Sequence, residues 1–320
     1  MKTLRLFGCL VLGLVAQAQE LKYEIVPDFI TPPPGKTTIG NGHGEIAVDS
    51  KGLIYVSVQE ATGIQVYGTD GKFIKALPLP KSIHGFVIRK TEDGEFIYAT
   101  ILNEKEGSFI KCQLDGKIVM EIKKSAFPAE QAKDPLKLTN CDVADNGDIY
   151  IVDGYGKSWI FQFDKTGKFI RVFGGPNQLV NNKGFKNTHK IFVDHRFSPA
   201  RLLCLDRGNN RMFHLDLDGT NPQMIADTGL RNPSSASFHG DLMCVAEIAG
   251  RVSVWNKAGK MVASLGVNDT KGQTNTPGVK PADWRTGVVT SPHGITFDAK
   301  GNILETEWNQ YGRVLRWDVK

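Results

Sequence analysis

Three histidines recur in one local setting. In the segments IHGFVIR, THKIFVD and PHGITFD, His84, His189 and His293 each stand two positions ahead of a short apolar run. The residue five places further on is Arg89, Asp194 or Asp298, and the histidines lie 105 and 104 residues apart. A slot that returns at such even spacing marks equivalent points of a repeating fold. If every second repeat carries one imidazole, the three converge on a common axis. Three imidazoles with open coordination positions are the ligand set of a catalytic zinc. Taken singly, a histidine at a strand start is more often a turn or hydrogen-bonded core residue; the shared slot is what favours ligation. His43 is one residue out of register, six before Asp49, and Gly44 holds its slot, so it is expected at the rim or behind the ligands. His195, His214 and His239 fall in turns or on strands and read as structural or exposed.

The elements that must position these side chains are short strands. In DIYIVDGYGKSWIFQFDKTGKFIRVFG (148–174), three runs rich in Ile, Val, Tyr, Trp and Phe are separated by an Asp-Gly-Tyr turn and a Lys-Thr-Gly turn. That pattern predicts antiparallel hairpins. One such sheet cannot bury both faces and needs copies of itself. The turn glycine at 167 has counterparts at Gly71, Gly116, Gly219 and Gly259, in steps of 40 to 52 residues. A strand-rich repeat of that length is the signature of a β-propeller. The expected fold is all-β: a six-bladed β-propeller with blades over about 42–79, 84–122, 139–173, 189–225, 233–265 and 294–320. In a six-membered ring, alternate blades stand about 120° apart, which brings the three histidines to one height on the axis. The last repeat has three strands. The orphan N-terminal strand, in YEIVPDFI, is expected to pair over Tyr23–Phe29 beside Leu315–Val319 and close the ring. The loop over 266–290, the longest, is polar and sits on the face where blades begin, where long loops are often functional.

The blade segments DGYGKSWIFQFDKTGKF and DRGNNRMFHLDLDG resemble the NHL-type propeller blade. With IHGF, PHGI and THKIFVD, they also resemble peptidylamidoglycolate lyase, the lyase half of the peptide α-amidating system. That resemblance spans most of 40–320 and is closest in the middle two blades. It implies a zinc-dependent carbon–nitrogen lyase that splits a peptidyl α-hydroxyglycine, or a related hydroxyl substrate, into an amide and glyoxylate. By the same match, His84, His189 and His293 would ligate zinc, Tyr155 would be the active-site base and Arg207 the active-site arginine. Several positions depart from the family. Its calcium-binding Asp after the last histidine is Gly294 here, which speaks against calcium, and its Met two residues before that histidine is Ser291. Its blade-one arginine has no match, so Arg285, or else Arg231, is expected to hold the substrate carboxylate. Gly156 stands where a disulfide cysteine would be. The PHGI motif also resembles streptogramin lyase, and lactonases share the architecture. A non-catalytic propeller that binds a protein, peptide or glycan is the competing reading, since one fold serves many functions.

Composition limits the partners. The 320 residues carry a net charge of +5, and without Lys2 and Arg5 about +3 remains. That is too little, and too scattered, to suggest nucleic acid. Residues 1–18 read as a signal peptide, with Lys2 and Arg5 as the basic region, Leu6 to Ala16 as the apolar run and cleavage near Ala18. The run is too short to span a membrane. The expectation is an exported, periplasmic or secreted monomer comprising residues 19–320. Cys112, Cys141, Cys204 and Cys244 sit on separate strands without CxxC spacing and read as buried free thiols.

Overall fold

The computed structural model describes residues 21–59, 63–103 and 106–320; the expected signal peptide lies outside them. Among the described residues, six four-stranded antiparallel sheets form the blades of a β-propeller. The ring is closed as the sequence implies. Tyr23–Val26 pairs antiparallel with Val314–Val319, from Tyr23 opposite Val319 to Val26 opposite Arg316, and supplies the fourth strand of the last blade. No helix among the described residues is long and apolar enough to cross a membrane.

The turn glycines do what their spacing suggests. Gly71, Gly116, Gly167, Gly219 and Gly259 all have positive φ, between 77° and 93°. In each of those blades the register between the third and fourth strands shifts just before the turn. Each glycine N–H bonds the carbonyl three residues back, which closes a tight turn whose left-handed last position glycine adopts without a Cβ clash.

The cores lie between blades. Phe161 and Phe163 of the third blade are fully buried. The ring of Phe127, delivered by the linker from the second blade, stands edge-on to them at 4.8 and 5.0 Å. Each such burial contributes about 1.5–3 kcal/mol. The four cysteines are free and buried, and burial raises every thiol pKa, that of Cys112 to about 12.

The innermost strands line the channel, and their first residues carry a second irregularity. The register between first and second strands shifts between Ile83 and Gly85, Thr188 and Lys190, and Pro292 and Gly294. His84, His189 and His293 are therefore the extra residues of three β-bulges. A bulge re-aims a side chain out of the pleat, and here it turns each imidazole toward the axis.

Candidate metal centre and active site

The three bulge imidazoles are fully buried and pack edge to face, with ring centroids 4.8 to 5.0 Å apart. Each donates its Nδ1–H to a main-chain carbonyl of the next blade. His84 donates to Thr139 at 2.8 Å, His189 to Ser234 at 2.7 Å and His293 to Gly44 at 2.8 Å. A carbonyl only accepts, so the proton is fixed on Nδ1 and Nε2 presents a lone pair, the tautomer of a metal-ligating histidine. Burial, followed by neighbouring positive groups, holds all three pKa values well below the ordinary histidine value, so the rings stay neutral and able to ligate. Among the described residues, the buried Nε2 of His293 has no hydrogen-bond partner. An orphaned buried nitrogen of this kind needs an explanation, and a metal ion supplies one.

His43, expected at the rim or behind the ligands, lies against the cluster. Its ring lies 4.9 Å from that of His84 and 4.8 Å from that of His293. The ligand nitrogens of His43, His84 and His293 fall within 4.8 Å of one another, so His43 belongs to the cluster. Burial first, and then Arg207 and Lys190, lower its pKa to about 4. The displacement begins at Gly44, where any Cβ would overlap the Ser57 hydroxyl. No side chain fits that slot, and the imidazole arrives from the residue before it.

Tyr155 and Arg207 meet over the cluster, each on the turn that follows a second strand. The Asp153 carboxylate shapes the tyrosine turn by accepting the backbone N–H of Lys137 at 2.6 Å and of Lys157 at 2.9 Å. Burial raises the Asp153 pKa to about 6. The equivalent Asp206 accepts from Lys186 N–H and Thr188 Oγ1 below Arg207. The Tyr155 hydroxyl oxygen lies 3.1 Å from Nε2 of both His84 and His189, and 3.3 Å from Nε2 of His43. Arg207 donates one N–H to it at 3.4 Å, with its guanidinium 5.6 Å from the phenol ring centre. The other terminal nitrogen of Arg207 is buried and has no partner among the described residues.

Two parts of the site were not anticipated. Beneath the histidines, Lys190 of the fourth blade donates to Glu45 of the first at 2.7 Å and to the His293 carbonyl at 3.3 Å. Ser235 Oγ and the N–H groups of Ile46 and Ile295 complete the Glu45 shell. This fully buried pair floors the site. A cavity of about 410 Å³ opens above it, lined by His43, Gln59, Ser82, Leu102, Lys137 and Tyr155. Lys137 brings a cation to that mouth. A second cavity of about 410 Å³ lies below the floor. Its guanidinium groups are already held, Arg89 by Asp142 and Arg196 by Asp194, and none is free for chemistry.

Arg285, expected to bind substrate, is not brought to the cluster. Its guanidinium is held by Asn268, Thr270 and Gln273 within the long loop, and it lines a groove beside the closing strand. Arg231 is likewise engaged, by Asp269. The loop spends its polar groups on itself and on the last blade, as where Asn309 donates to the Val279 carbonyl.

Fold and cluster together define the class: a six-bladed β-propeller whose channel axis carries converging imidazoles beneath a tyrosine and an arginine. No family model matches the chain. Over 97 residues it is 29% identical to a Caenorhabditis elegans protein named probable peptidyl-alpha-hydroxyglycine alpha-amidating lyase pgal-1. That match takes in 30% of this chain and 27% of the relative, so the chain spans about a quarter of the relative's length. Among solved structures, virginiamycin B lyase from Staphylococcus aureus superposes over 94% of this chain and 88% of its own, with a TM-score of 0.54 and 18% identity. A gluconolactonase from Xanthomonas campestris superposes over 88% of each chain, with a TM-score of 0.61 and 10% identity. At these identities the structural likeness is one of fold.

Proposed function

We propose that the protein is a zinc-dependent carbon–nitrogen lyase that cleaves a peptidyl α-hydroxyglycine, or a related hydroxyl substrate, to an amide and glyoxylate. The observation that supports this reading is the meeting of the three bulge imidazoles, ring centroids 4.8 to 5.0 Å apart, with the Tyr155 oxygen 3.1 Å from Nε2 of His84 and of His189. The residues that would hold the ion are His84, His189 and His293. A zinc ion there supplies Lewis acidity, which lowers the pKa of a hydroxyl bound to it.

The chain's own groups do the rest. Tyr155 takes the proton from the substrate hydroxyl as the C–N bond breaks. The bonding electrons pass to the amide nitrogen, which receives the proton that Tyr155 has taken, so the base is restored and the carbinol carbon becomes the aldehyde carbon of glyoxylate. Arg207 holds Tyr155 through one nitrogen and offers its unpartnered nitrogen to the substrate carboxylate. Lys137 takes the role at the mouth that Arg285 was expected to fill. Calcium has no place in this reading, because Gly294 stands where the resembled family has its calcium-binding Asp. The reading includes export after cleavage near Ala18.

The test is glyoxylate release. Zinc-loaded protein should liberate glyoxylate from an N-acyl α-hydroxyglycine faster than the uncatalysed background, and chelation should abolish it. Bound zinc with no glyoxylate from any such substrate would remove the lyase assignment.

A further inference from the structure

The four clustered imidazoles are not equivalent, and the hydrogen bonds divide them three to one. The side-chain nitrogen of Gln59 approaches His43 twice, at 3.1 Å from Nδ1 and at 3.4 Å from the His43 carbonyl oxygen. A carbonyl oxygen accepts and never donates, so the Gln59 group facing it is the NH2. The same NH2 then donates to Nδ1 of His43, which must accept. In a neutral imidazole the proton is left on Nε2. That N–H points at the Tyr155 oxygen, 3.3 Å away. The other three rings have the opposite arrangement, each with Nδ1–H committed to a carbonyl and Nε2 bare.

We propose that His43 is a positioning residue that donates its Nε2–H to the Tyr155 oxygen, with its tautomer set by Gln59, and that it is not a metal ligand. The proposal rests on the reading above in taking Tyr155 as the base.

The surroundings are built for this. Gln59 N–H donates to the Asn41 carbonyl at 2.9 Å, which ties the donor strand to the segment that carries His43. Gly42 pairs with Asn309 in both directions, at 2.8 and 2.9 Å, and a Cβ on Gly42 would stand 2.8 Å from the Glu307 carbonyl oxygen. The Trp308 ring flanks the imidazole at 5.5 Å. The Tyr155 oxygen thus faces two donors, His43 and Arg207, and two bare nitrogens, of His84 and His189. Two donors aimed at a phenol oxygen hold its lone pairs in place and stay satisfied when that oxygen gives up or takes a proton.

Three variants test it. His43→Ala should keep a full equivalent of zinc and lose roughly 10- to 100-fold in kcat, with KM within about threefold. His43→Gln places an amide N–H near the lost Nε2–H and should recover much of that loss. Gln59→Glu turns the donor into an acceptor, so the proton should move to Nδ1 and kcat should fall as in His43→Ala. The tautomers are read without any substrate, by nitrogen-15 NMR of the imidazoles. Wild type should show His43 protonated on Nε2, and Gln59→Glu should show it on Nδ1. A wild-type His43 protonated on Nδ1, loss of zinc in His43→Ala, or an unchanged kcat in both His43→Ala and Gln59→Glu would each overturn the proposal. The NMR result stands whether or not the protein proves to be a lyase.

Discussion

Replacing Lys190 with methionine should destabilise the protein by about 3–5 kcal/mol. The lysine and its partner Glu45 are both buried, and their charged atoms stand 2.7 Å apart. At an effective dielectric near 20, that contact is worth on the order of 6 kcal/mol before desolvation is counted. Methionine fills most of the same volume but strands the Glu45 carboxylate. That carboxylate keeps Ser235 Oγ and the N–H groups of Ile46 and Ile295, which soften the loss without neutralising the charge. Glu45→Gln should do comparable damage by stranding the ammonium. The double variant Lys190→Met/Glu45→Gln strands no charge and should lie closer to wild type than either single variant. Urea unfolding of the four proteins gives the cycle and its interaction energy. Single changes below about 1 kcal/mol, or a double variant equal to the sum of the singles, would refute the view that the channel floor is a coupled buried pair. Because Lys190 also bonds the His293 carbonyl and Glu45 follows the carbonyl that orients the His293 ring, the single variants should weaken zinc binding as well.

Other expectations can be checked separately. Tyr155→Phe should retain zinc and lose about 10²–10⁴-fold in turnover, measured as glyoxylate release; a variant near wild-type rate would remove Tyr155 as base. Asp194 is pushed up by burial but pulled down further by Arg196 and His214, to about 2 from an ordinary 3.8. Its stabilisation is present above pH 4 and lost as the pH falls from 4 through 2, so Asp194→Asn should flatten that part of the acid-unfolding curve; an unchanged slope there would contradict the assignment. Deleting residues 21–31 exposes the edge of Val314–Val319 and should cause aggregation or a large fall in stability; a deletion variant as stable and monomeric as the parent would refute the closure. Cys112, Cys141, Cys204 and Cys244 should resist a thiol reagent in the native protein and all react once it is denatured; two or fewer reacting would show disulfides.

What the sequence made legible was periodic. The turn glycines, the missing strand of the last blade and the shared slot of His84, His189 and His293 are all repeats of one pattern, and repetition survives without knowledge of packing. Features that join distant points of the ring had no such signal. Glu45 and Lys190 are 145 positions apart and meet because their blades face each other across the channel. Lys137 reaches the mouth because its turn is pinned to Asp153. The one-residue offset of His43 was visible, but its steric cause, the collision of a Gly44 Cβ with Ser57, was not. The partners of Arg285 had no such signal either, because a polar loop satisfies this arginine from its own amides and hydroxyls.

The central claim is that the imidazoles of His84, His189 and His293 hold one zinc ion, with His43 beside them as a donor to Tyr155. Titrating zinc into metal-free wild type, His189→Ala and His43→Gln tests it most directly. The account predicts one tight equivalent in wild type and in His43→Gln, and a loss of tight binding in His189→Ala. Tight binding that survives in His189→Ala and disappears in His43→Gln would contradict it and assign the ion to His43, His84 and His293 instead.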